Sequence, residues 1–480
     1  MADPFDLVIR GGRIVTQSSV IDGDLAISDG RIAMIGKDLS GAEEINASGR
    51  WVMPGGVDPH CHIEQISGMG VMNADTFKTA TKSAAMGGTT SVISFAAQAH
   101  GQPLAEALDD YAARAKRGAM VDHAFHLSIS DTSVDRFFDD LGKLVEAGHR
   151  SIKVFTTYNI KLSDRAILDI LAAAKVHGAL VCVHAENDGL IGWTKEALVA
   201  AGLTRPEHHA ISHPRLAEIE AVERLCRFAE FFATPVMLFH ISTAEALEAI
   251  RNARGRGVPI WAETCPHYLF MTAEVLQRDG IEGAKWMCSP PQRTVGDQEA
   301  LWGALDRGDL QVVSSDHAPY RFDETGKLRA GEAPTFPEIA NGLPGLEPRL
   351  ALMFDAMVAG DRLGAQAFAR VTASEPARIY GLPRKGQIAP GFDADIAIWN
   401  AEESRTYGAN DLHDNVGYNP WEGRTVQGVV ETVLLRGKPI VREGEFLGEP
   451  GQGQWLHRES LGVEARIQPA PEYLATQGGA

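Results

Sequence analysis

The sequence predicts an α/β protein: a (β/α)8 (TIM) barrel with a small β-sandwich built from both chain termini. Eight short apolar runs alternate with Ala-, Leu- and Glu-rich helical patterns over roughly 270 residues, the size of such a barrel. Both ends of the chain have the texture of short strands and glycine turns. Polar residues able to bind metal or move protons lie in or after six of the eight runs. The alternative is a doubly wound open sheet, which the strand count does not exclude, but this polar pattern favours a barrel.

Composition narrows the functional classes. The 480 residues allow a large barrel plus a smaller unit, and 44% hydrophobic residues are ordinary for a globular chain. The formal net charge of −18, without a basic run, argues against nucleic acid or an anionic membrane as a partner. No stretch approaches the roughly 20 apolar residues of a membrane span, and the acidic N-terminal segment is not typical of a secretory signal. Five cysteines without a CxxC motif exclude a disulfide scaffold, so we expect a cytoplasmic protein.

The terminal segments predict the sandwich. Near the start, strand patterns occupy residues 7–10, 13–16, 25–27 and 31–35, with Gly11-Gly12 as a turn. Near the end, they occupy residues 395–399, 426–430, 432–435 and 439–441, with Arg436-Gly437 as a turn. We therefore expect residues 1–53 and 391–450 to form the sandwich, residues 54–390 the barrel, and residues 451–480 a C-terminal arm.

The apolar runs between these segments predict the barrel strands. They span residues 52–57, 90–95, 123–129, 151–155, 180–184, 235–240, 259–264 and 310–315. Helical patterns at residues 166–175 and 216–232 lie between them. Because barrel active sites lie at the C-terminal ends of the strands, the polar groups there would converge on one face.

Histidines at these strand ends are candidate metal ligands. His60 and His62 are two residues apart, so on a strand both rings would point to the same side. Alone, such a pair usually binds no metal, and His184 and His240, taken singly, are typical of hydrogen-bonded core histidines. Together with Asp316 after the last strand, they indicate a site for an ion such as Zn²⁺, which favours imidazole and carboxylate ligands.

Lys153 and Asp316 each allow two interpretations. A lysine within Ser151-Ile-Lys-Val-Phe could extend its amine to solvent, or it could be desolvated and neutral. A neutral amine reacts with CO2, and the resulting carbamate has two oxygens that can bridge two metal ions. Asp316 could cap the following turn, or it could act as a ligand and proton acceptor beside metals.

These residues together resemble the amidohydrolase superfamily, and specifically its D-hydantoinase and dihydropyrimidinase branch. The resemblance covers nearly the whole chain. It includes Pro54-Gly-Gly-Val-Asp-Pro-His-Cys-His, Ser151-Ile-Lys-Val-Phe-Thr-Thr-Tyr, Val183-His-Ala-Glu-Asn, Ala262-Glu-Thr-Cys-Pro-His-Tyr-Leu, Cys288-Ser-Pro-Pro-Gln-Arg, Ser314-Ser-Asp-His, Asn341-Gly-Leu-Pro-Gly-Leu-Glu and Lys385-Gly-Gln-Ile-Ala-Pro-Gly-Phe-Asp-Ala-Asp.

The resemblance implies a role for each candidate residue. His60, His62 and Asp316 would hold one divalent ion, and His184 and His240 the other. Lys153, carbamylated to N6-carboxylysine, and a hydroxide would bridge the ions, which would be zinc or alternatively manganese. Tyr158 would bind the substrate carbonyl, and the main chain of Ser289 and Asn341 would bind the imide edge of the ring. The resemblance also implies a homotetramer, with a homodimer as the alternative.

The implied function is metal-dependent hydrolysis of a cyclic amide or ureide to an N-carbamoyl amino acid, with a 5-substituted hydantoin or a dihydropyrimidine as substrate. Allantoinase remains open because Asp316-His-Ala-Pro resembles that enzyme too, and a cyclic-imide hydrolase is a further alternative. Glu64 stands where dihydroorotase-like relatives carry arginine, which argues against that activity. A mononuclear deaminase would not need Lys153. A non-catalytic scaffold of the same family would have lost metal ligands, whereas all six positions are filled here.

Other histidines receive structural interpretations. His208, His209 and His213 lie in a polar stretch before a helical pattern, which indicates a surface loop. His267 and His317 flank the proposed site and could orient its ligands or only form structural hydrogen bonds.

Overall fold

The computed structural model describes residues 5–459, and it confirms the predicted fold class. Two sheets account for the described strands. One is a parallel eight-stranded sheet, which forms the barrel, and the other is a nine-stranded sheet built from both ends of the chain, which forms the sandwich. The domain boundaries at residues 53, 391 and 451 stay a prediction.

Along residues 5–459 the strands follow in this order: β1 (Phe5–Val15), β2 (Val20–Ser28), β3 (Arg31–Gly36), β4 (Gly41–Asn46), β5 (Trp51–Pro54), β6 (Gly56–Cys61), β7 (Thr89–Ala97), β8 (Asp122–Ser128), β9 (Ser151–Phe155), β10 (Leu180–His184), β11 (Val236–Leu238), β12 (Ile260–Thr264), β13 (Val312–Val313), β14 (Ile396–Thr406), β15 (Thr425–Leu435), β16 (Lys438–Arg442) and β17 (Glu445–Phe446). Strands β6 to β13 form the barrel in sequence order, and the others form the terminal sheet.

The α-helices of the same range are α1 (Phe77–Met86), α2 (Leu104–Gly118), α3 (Phe137–Glu146), α4 (Asp164–His177), α5 (Asp188–Ala200), α6 (Glu207–Ser212), α7 (Arg215–Phe232), α8 (Ala244–Gly255), α9 (Pro266–Phe270), α10 (Val295–Arg307), α11 (Pro348–Phe354), α12 (Gly364–Ala369) and α13 (Glu375–Ile379). The helical patterns predicted at residues 166–175 and 216–232 are confirmed as α4 and α7. Helix α4 begins after Ser163, whose side chain accepts from the Ala166 N–H, and ends at Gly178 with φ of 71°.

One predicted turn and one predicted separation of strands in the terminal sheet were wrong. Residues 7–10 and 13–15 belong to one strand, β1, which pairs with β2 on both sides of a bulge between Ile9 and Gly12. Gly11 has φ of 65°, which glycine adopts without strain, so the glycine pair forms a bulge instead of a chain reversal. Residues 426–430 and 432–435 are likewise one strand, β15. The turn at Arg436-Gly437 is confirmed, since it connects β15 to β16.

All eight predicted barrel runs contain a barrel strand, but two of them have different bounds. The first run is divided at Gly55: β5 pairs with β1 and β14 in the terminal sheet, and the barrel strand β6 begins at Gly56. In the last run only Val312 and Val313 pair with β12, so Asp316 lies three residues beyond the strand.

The barrel closes where its first and last strands meet. Cys61 and His317 form a parallel bridge between the two ends of the sheet. Nearer the N-terminal strand ends, Arg349 donates to the main-chain oxygens of Val313 at 3.0 Å and Val57 at 3.3 Å. Its guanidinium also lies 3.4 Å from the buried Asp58 carboxylate, so one side chain holds the first and last strands together.

The hydrophobic core divides into layers. A large cluster fills the space between the barrel strands and the surrounding helices, a second lies inside the terminal sheet, and a third fills the barrel interior around Phe95, Cys182, Met237 and Phe239. The five cysteines are buried and free of disulfides. No helix within residues 5–459 is long and apolar enough to cross a membrane.

Candidate active site

A large cavity opens at the C-terminal ends of the barrel strands. Its volume is about 630 Å³. All nine residues that the sequence singled out line its wall: His60, His62, Lys153, Tyr158, His184, His240, Ser289, Asp316 and Asn341. They come from the ends of five barrel strands and from two loops that are distant in sequence, so the barrel brings them together as predicted.

Three of these side chains are close enough to hold one ion. Ligand atoms of His60, His62 and Asp316 all lie within 4.8 Å of one another. The Nε2 atoms of His60 and His62 lie 3.0 Å and 3.5 Å from Asp316 Oδ1. Burial would raise the pKa of the Asp316 carboxyl, but the neighbouring histidines outweigh it and hold that pKa well below its usual range. An anionic carboxylate between two imidazoles is a donor set suited to a divalent ion.

The other ring nitrogens of three histidines have side-chain partners that fix the ring orientation. His60 Nδ1 bonds the buried carboxylate of Glu263, and His62 Nδ1 lies 2.7 Å from Gln65 Oε1. His184 Nε2 lies 2.8 Å from a carboxylate oxygen of Glu186. These bonds leave Nε2 of His60, Nε2 of His62 and Nδ1 of His184 free to bind an ion, the arrangement common at metal sites.

His184 and His240 lie side by side next to the first group. Their ring centroids are 4.4 Å apart, and the His240 ring centroid lies 5.5 Å from that of His60. His240 Nδ1 is buried and has no hydrogen-bond partner among the described residues. A buried imidazole nitrogen without a partner is costly, and a bound cation would satisfy it. The two rings therefore fit a second ion position.

Lys153 lies in a cage of aromatic rings. Its Nζ is 3.9 Å from the ring centre of Phe239, 4.7 Å from that of Phe155 and 5.7 Å from that of Phe95. The residue is 1% exposed, and its burial lowers the pKa of the amine to about 7. The desolvated interpretation of this lysine is therefore confirmed, and the extension of its amine to solvent is excluded. A substantial fraction of the amine is neutral near neutral pH and can act as a nucleophile.

Tyr158, Ser289 and Asn341 also line the cavity, and the Tyr158 ring lies 5.2 Å from that of His184. The side chains of Ser289 and Asn341 lie near the Tyr158 hydroxyl, and burial raises its pKa well above the usual value. Asn341 Oδ1 is buried without a hydrogen-bond partner in the described part of the chain. A protonated phenol beside an unsatisfied amide oxygen can bind a ligand that both accepts and donates hydrogen bonds.

Backbone strain is concentrated at this cavity. Tyr158, His240 and Asp316 have φ values of 70°, 40° and 45°, in the left-handed region that non-glycine residues rarely adopt. Such strain persists where surrounding structure fixes the conformation, and it occurs often at functional sites. At Asp316 and His240 the strained turn begins just beyond the paired strand, and it directs the side chain into the cavity.

The surface-loop interpretation of the histidine cluster was wrong for two of its members. His209 belongs to α6 and His213 follows it, and both are buried at the cavity wall. His209 Nε2 lies 2.8 Å from the main-chain oxygen of Cys288, beside Ser289, and His213 Nδ1 lies 2.9 Å from Glu186. The polar sequence around α6 concealed this burial, because the helix is enclosed by segments distant in sequence.

The flanking residues have distinct roles. His317 Nε2 lies 3.0 Å from Asp75, and its Nδ1 accepts from the Gly345 N–H at 3.1 Å, so this ring orients the loop after Asp316. His267 is buried without a partner for Nε2 among residues 5–459, and burial lowers its pKa to about 4. Glu64 accepts from the first N–H of α1, at Phe77, so its carboxylate caps a helix.

Sequence reasoning missed the orienting residues Gln65, Glu186 and His213. Glu186 stands two residues after His184 and Gln65 three residues after His62, so their nearness to candidate ligands was the available signal. His213 had no such signal, because it reaches the site only through tertiary packing.

Comparisons with known proteins agree with this geometry. The model of the amidohydrolase family matches residues 51–440. A D-hydantoinase from Ralstonia pickettii is 40% identical over 457 residues, which cover 94% of this chain and 99% of that protein. A solved D-hydantoinase structure superimposes with a TM-score of 0.92 at 39% identity, covering 95% of this chain and all of the other. A dihydropyrimidinase from Brevibacillus agri superimposes with a TM-score of 0.91 at 37% identity, covering 95% and 99%.

Proposed function

Because the chain belongs to the amidohydrolase family, with D-hydantoinases as full-length relatives, we propose that it is a cyclic amidohydrolase of this type. It opens the ring of a cyclic ureide, a 5-substituted hydantoin or a dihydropyrimidine, by hydrolysis of a C–N bond. The product is an N-carbamoyl amino acid. The observation that carries this proposal is the convergence of four histidines, Asp316 and a desolvated lysine on one cavity of such a chain.

We propose that this cavity holds two divalent ions. His60, His62 and Asp316 would bind one, and His184 and His240 the other. Lys153 would bridge them after carbamylation: its neutral amine forms an N–C bond to CO2, one C=O π bond opens, and an amine proton leaves to solvent. Zinc is the proposed metal, with manganese as the alternative. When bound, the ions lower the pKa of water and polarise the scissile carbonyl.

The side chains around the cavity then have separable tasks. Asp316, ionised by its histidine neighbours, is placed to accept the proton of the attacking water and to return it to the leaving ring nitrogen. The Tyr158 hydroxyl, protonated because it is buried, donates to the carbonyl oxygen as negative charge develops there. The main chain of Ser289 and Asn341 holds the imide edge of the ring, which fixes the carbonyl in place for attack.

The first experiment is a comparison of ring-opening rates of the metal-loaded protein. The panel contains dihydrouracil, hydantoin, D- and L-5-substituted hydantoins, allantoin and succinimide. We expect a hydantoin or dihydrouracil to be opened fastest, and the Asp316→Asn variant to fix the background rate. Fastest turnover of allantoin would support an allantoinase instead, and of succinimide a cyclic-imide hydrolase. No turnover and no bound metal would leave a non-catalytic scaffold.

We further propose a cytoplasmic homotetramer, with a homodimer as the alternative. The five free cysteines are compatible with a reducing compartment. Light scattering of the eluting protein tests the assembly, because the tetramer has four times and the dimer twice the 51.8 kDa chain mass.

A further inference from the structure

A buried arginine from the C-terminal arm is connected to the proposed metal site by hydrogen bonds through the barrel interior. The described part of this arm, residues 451–459, runs along the N-terminal ends of the barrel strands. Leu456 N donates to the His123 main-chain oxygen at 2.8 Å, and Glu459 N donates to that of Gly381 at 2.9 Å. Between these anchors the side chain of Arg458, which is 0% exposed, enters the barrel interior.

Three successive hydrogen bonds connect this arginine to the opposite end of the barrel. Arg458 Nη1 donates to Ser151 Oγ at 2.5 Å, and Nη2 donates to the Phe125 main-chain oxygen at 2.6 Å. Ser151 Oγ lies 2.6 Å from His126 Nδ1, and His126 Nε2 lies 2.7 Å from the main-chain oxygen of Pro59. Arg458, Ser151 and His126 are all 0% exposed.

We call the hydrogen-bonded series from Arg458 through Ser151 and His126 to the Pro59 carbonyl the relay. The donor and the acceptor of each of its bonds follow from the chemistry of the two end groups. A carbonyl oxygen only accepts, so His126 Nε2 carries the proton that bonds Pro59. Burial holds the pKa of His126 well below its usual value, so the ring is neutral and its Nδ1 accepts from the Ser151 hydroxyl. Ser151 Oγ in turn accepts from Arg458. The relay has one consistent arrangement of protons from end to end.

Two members of the relay, Ser151 and Pro59, lie close in sequence to proposed metal ligands. The Pro59 carbonyl belongs to the peptide bond that leads into His60. Ser151 precedes Lys153 by two residues on β9, so both side chains point into the barrel. His126 also stacks on Phe95 at a centroid distance of 5.0 Å, and the Phe95 ring stacks on His62 at 4.5 Å. A shift of the His126 ring would therefore displace Phe95 and, through it, the ring of His62.

If the side chain of Arg458 only filled the N-terminal end of the barrel, an arginine would not be required there. No carboxylate within residues 5–459 forms an ion pair with Arg458, and its Nε is buried without a partner. A buried cation without a counter-ion is costly, and an apolar side chain would fill the same space at a lower cost. Hydrogen-bond donation to Ser151 and Phe125 is what the guanidinium adds.

We propose that Arg458 is a positioning residue of the metal site, which it stabilises through Ser151 and His126, so that full metal affinity requires the docked arm. This inference rests on the metal site of the proposed function. The C-terminal arm lies at the end of the barrel opposite to the metal site, so its position alone does not suggest this role.

Metal affinity of arm variants tests the inference. The zinc dissociation constant of Arg458→Met and Arg458→Lys would be measured by competition with a chromogenic chelator, and the thermal midpoint of each metal-free protein alongside. We expect Arg458→Met to weaken metal binding about tenfold, the loss typical of groups that orient metal ligands. Arg458→Lys, which keeps one donor, should recover part of it. In a Ser151→Ala background the Arg458→Met effect should shrink below twofold, because the relay is already broken.

Trp455→Ala is the matched control. This side chain lies on the same arm, is 42% exposed and packs on His149, outside the relay. The variant should lower the thermal midpoint and leave metal affinity within twofold. An Arg458→Met protein that also only loses thermal stability, or an undiminished effect in the Ser151→Ala background, would overturn the inference.

If Arg458→Met does not fold, Ser151→Ala alone decides, since unchanged metal affinity there would overturn the relay. Failure of the proposed function is distinguishable, because it appears in the wild-type chain as absent metal or absent ring opening. Failure of this inference appears only in the ratio of variant to wild-type affinity.

Discussion

At Lys153, the surroundings determine what the side chain can do. Burial among Phe95, Phe155 and Phe239 lowers the pKa of the amine to about 7, whereas an exposed lysine would stay protonated. Reaction with CO2 requires the neutral amine, so the aromatic cage makes carbamylation possible at neutral pH.

Lys153→Ala should therefore lose most bound metal and most activity. The alanine cannot form the bridging carbamate, and the remaining histidines would hold two ions only weakly. Metal content by atomic absorption, together with the ring-opening rate, checks this. Lys161→Ala is the control, because Lys161 lies on the rim of the same cavity and pairs with Asp188 instead of facing the histidines. Full metal retention by Lys153→Ala would remove the bridging role.

Asp316→Asn should lower the turnover number by about 100-fold or more. The amide keeps the shape of the carboxylate but cannot accept a proton, and the histidines that hold the pKa of Asp316 low would lose their anionic partner. The kinetic constants and the metal content should be measured on the same preparation, with the thermal midpoint as evidence of folding. A turnover number within a few-fold of wild type, with metal bound, would contradict the proton-transfer role.

At this scale the sequence predicted the candidate ligands that line the cavity but missed Gln65, Glu186 and His213, which bond to them or to their partners. His60 and His184 lie at the ends of strands and Asp316 lies beyond one, and strand ends of a barrel share one face, so position in the sequence indicated that they converge. The bond from His213 to Glu186 depends on how α6 packs over the cavity, and local sequence pattern has no information on that packing.

At the scale of elements, the segment between β14 and β15 contains a carboxyl group whose surroundings disfavour its charged form. Asp414 lies in this segment, residues 407–424, near Asp75 and His317. Burial, reinforced by the Asp75 carboxylate, raises the pKa of Asp414 to about 7. Because the unfolded chain ionises near pH 3.9, ionisation of Asp414 favours the unfolded state increasingly between about pH 4 and pH 7.

Asp414→Asn should therefore stabilise the protein at pH 8 and have much less effect at pH 4, where Asp414 stays protonated in the folded state and is only about half ionised in the unfolded chain. The expected gain at pH 8 is about 2 kcal/mol in the free energy of unfolding, discounted from the full linkage value because the residue is partly exposed. Denaturant unfolding at both pH values measures it. An equal effect at the two pH values would show that charge is not the cause.

The predicted bounds of helices and strands agree with the structure where the side-chain pattern determines them. They differ from it where the pairing between strands determines them. The Gly11-Gly12 pair is compatible with a turn or a bulge, and only the partner strand β2 selects the bulge. The run before Pro54 reads as the first barrel strand, yet its hydrogen-bond partners are β1 and β14. Periodicity identifies a strand, but the choice of sheet depends on partners distant in sequence.

At the scale of the whole molecule, one buried ion cluster joins the barrel, the sandwich and the arm. Lys385 Nζ lies 2.6 Å from Asp122 at the start of β8 and 2.8 Å from Asp395, just before β14. Arg436, in the turn after β15, also pairs with Asp122. Asp122 Oδ1 further accepts from Gln454 N in the arm at 2.8 Å. The segment beginning at Lys385, which resembles a family motif, thus has a structural task at the junction.

Lys385→Met should lower the free energy of unfolding at pH 7 by roughly 3–5 kcal/mol, because it leaves Asp122 and Asp395 buried without their main cation. Burial opposes the charge on Asp122, but Lys385 and Arg436 outweigh it and lower its pKa. The stability from this carboxylate is therefore present above the unfolded pKa of about 3.9 and is lost as pH falls. The difference between variant and wild type should accordingly shrink only below about pH 3.9, where the Asp122 carboxylate begins to take up protons.

Arg384→Met separates this burial effect from a general loss of charge. Arg384 pairs with Asp393 at 3.1 Å, but its side chain is 56% exposed, so water already screens the pair and the expected cost is below about 1 kcal/mol. Denaturant unfolding of both variants at pH 7 and at about pH 3, below the unfolded pKa of Asp, gives the comparison. Equal losses of unfolding free energy for Lys385→Met and Arg384→Met would mean that the junction depends on surface charge. A large loss for Lys385→Met alone would show that the buried cluster holds the barrel, the sandwich and the arm together.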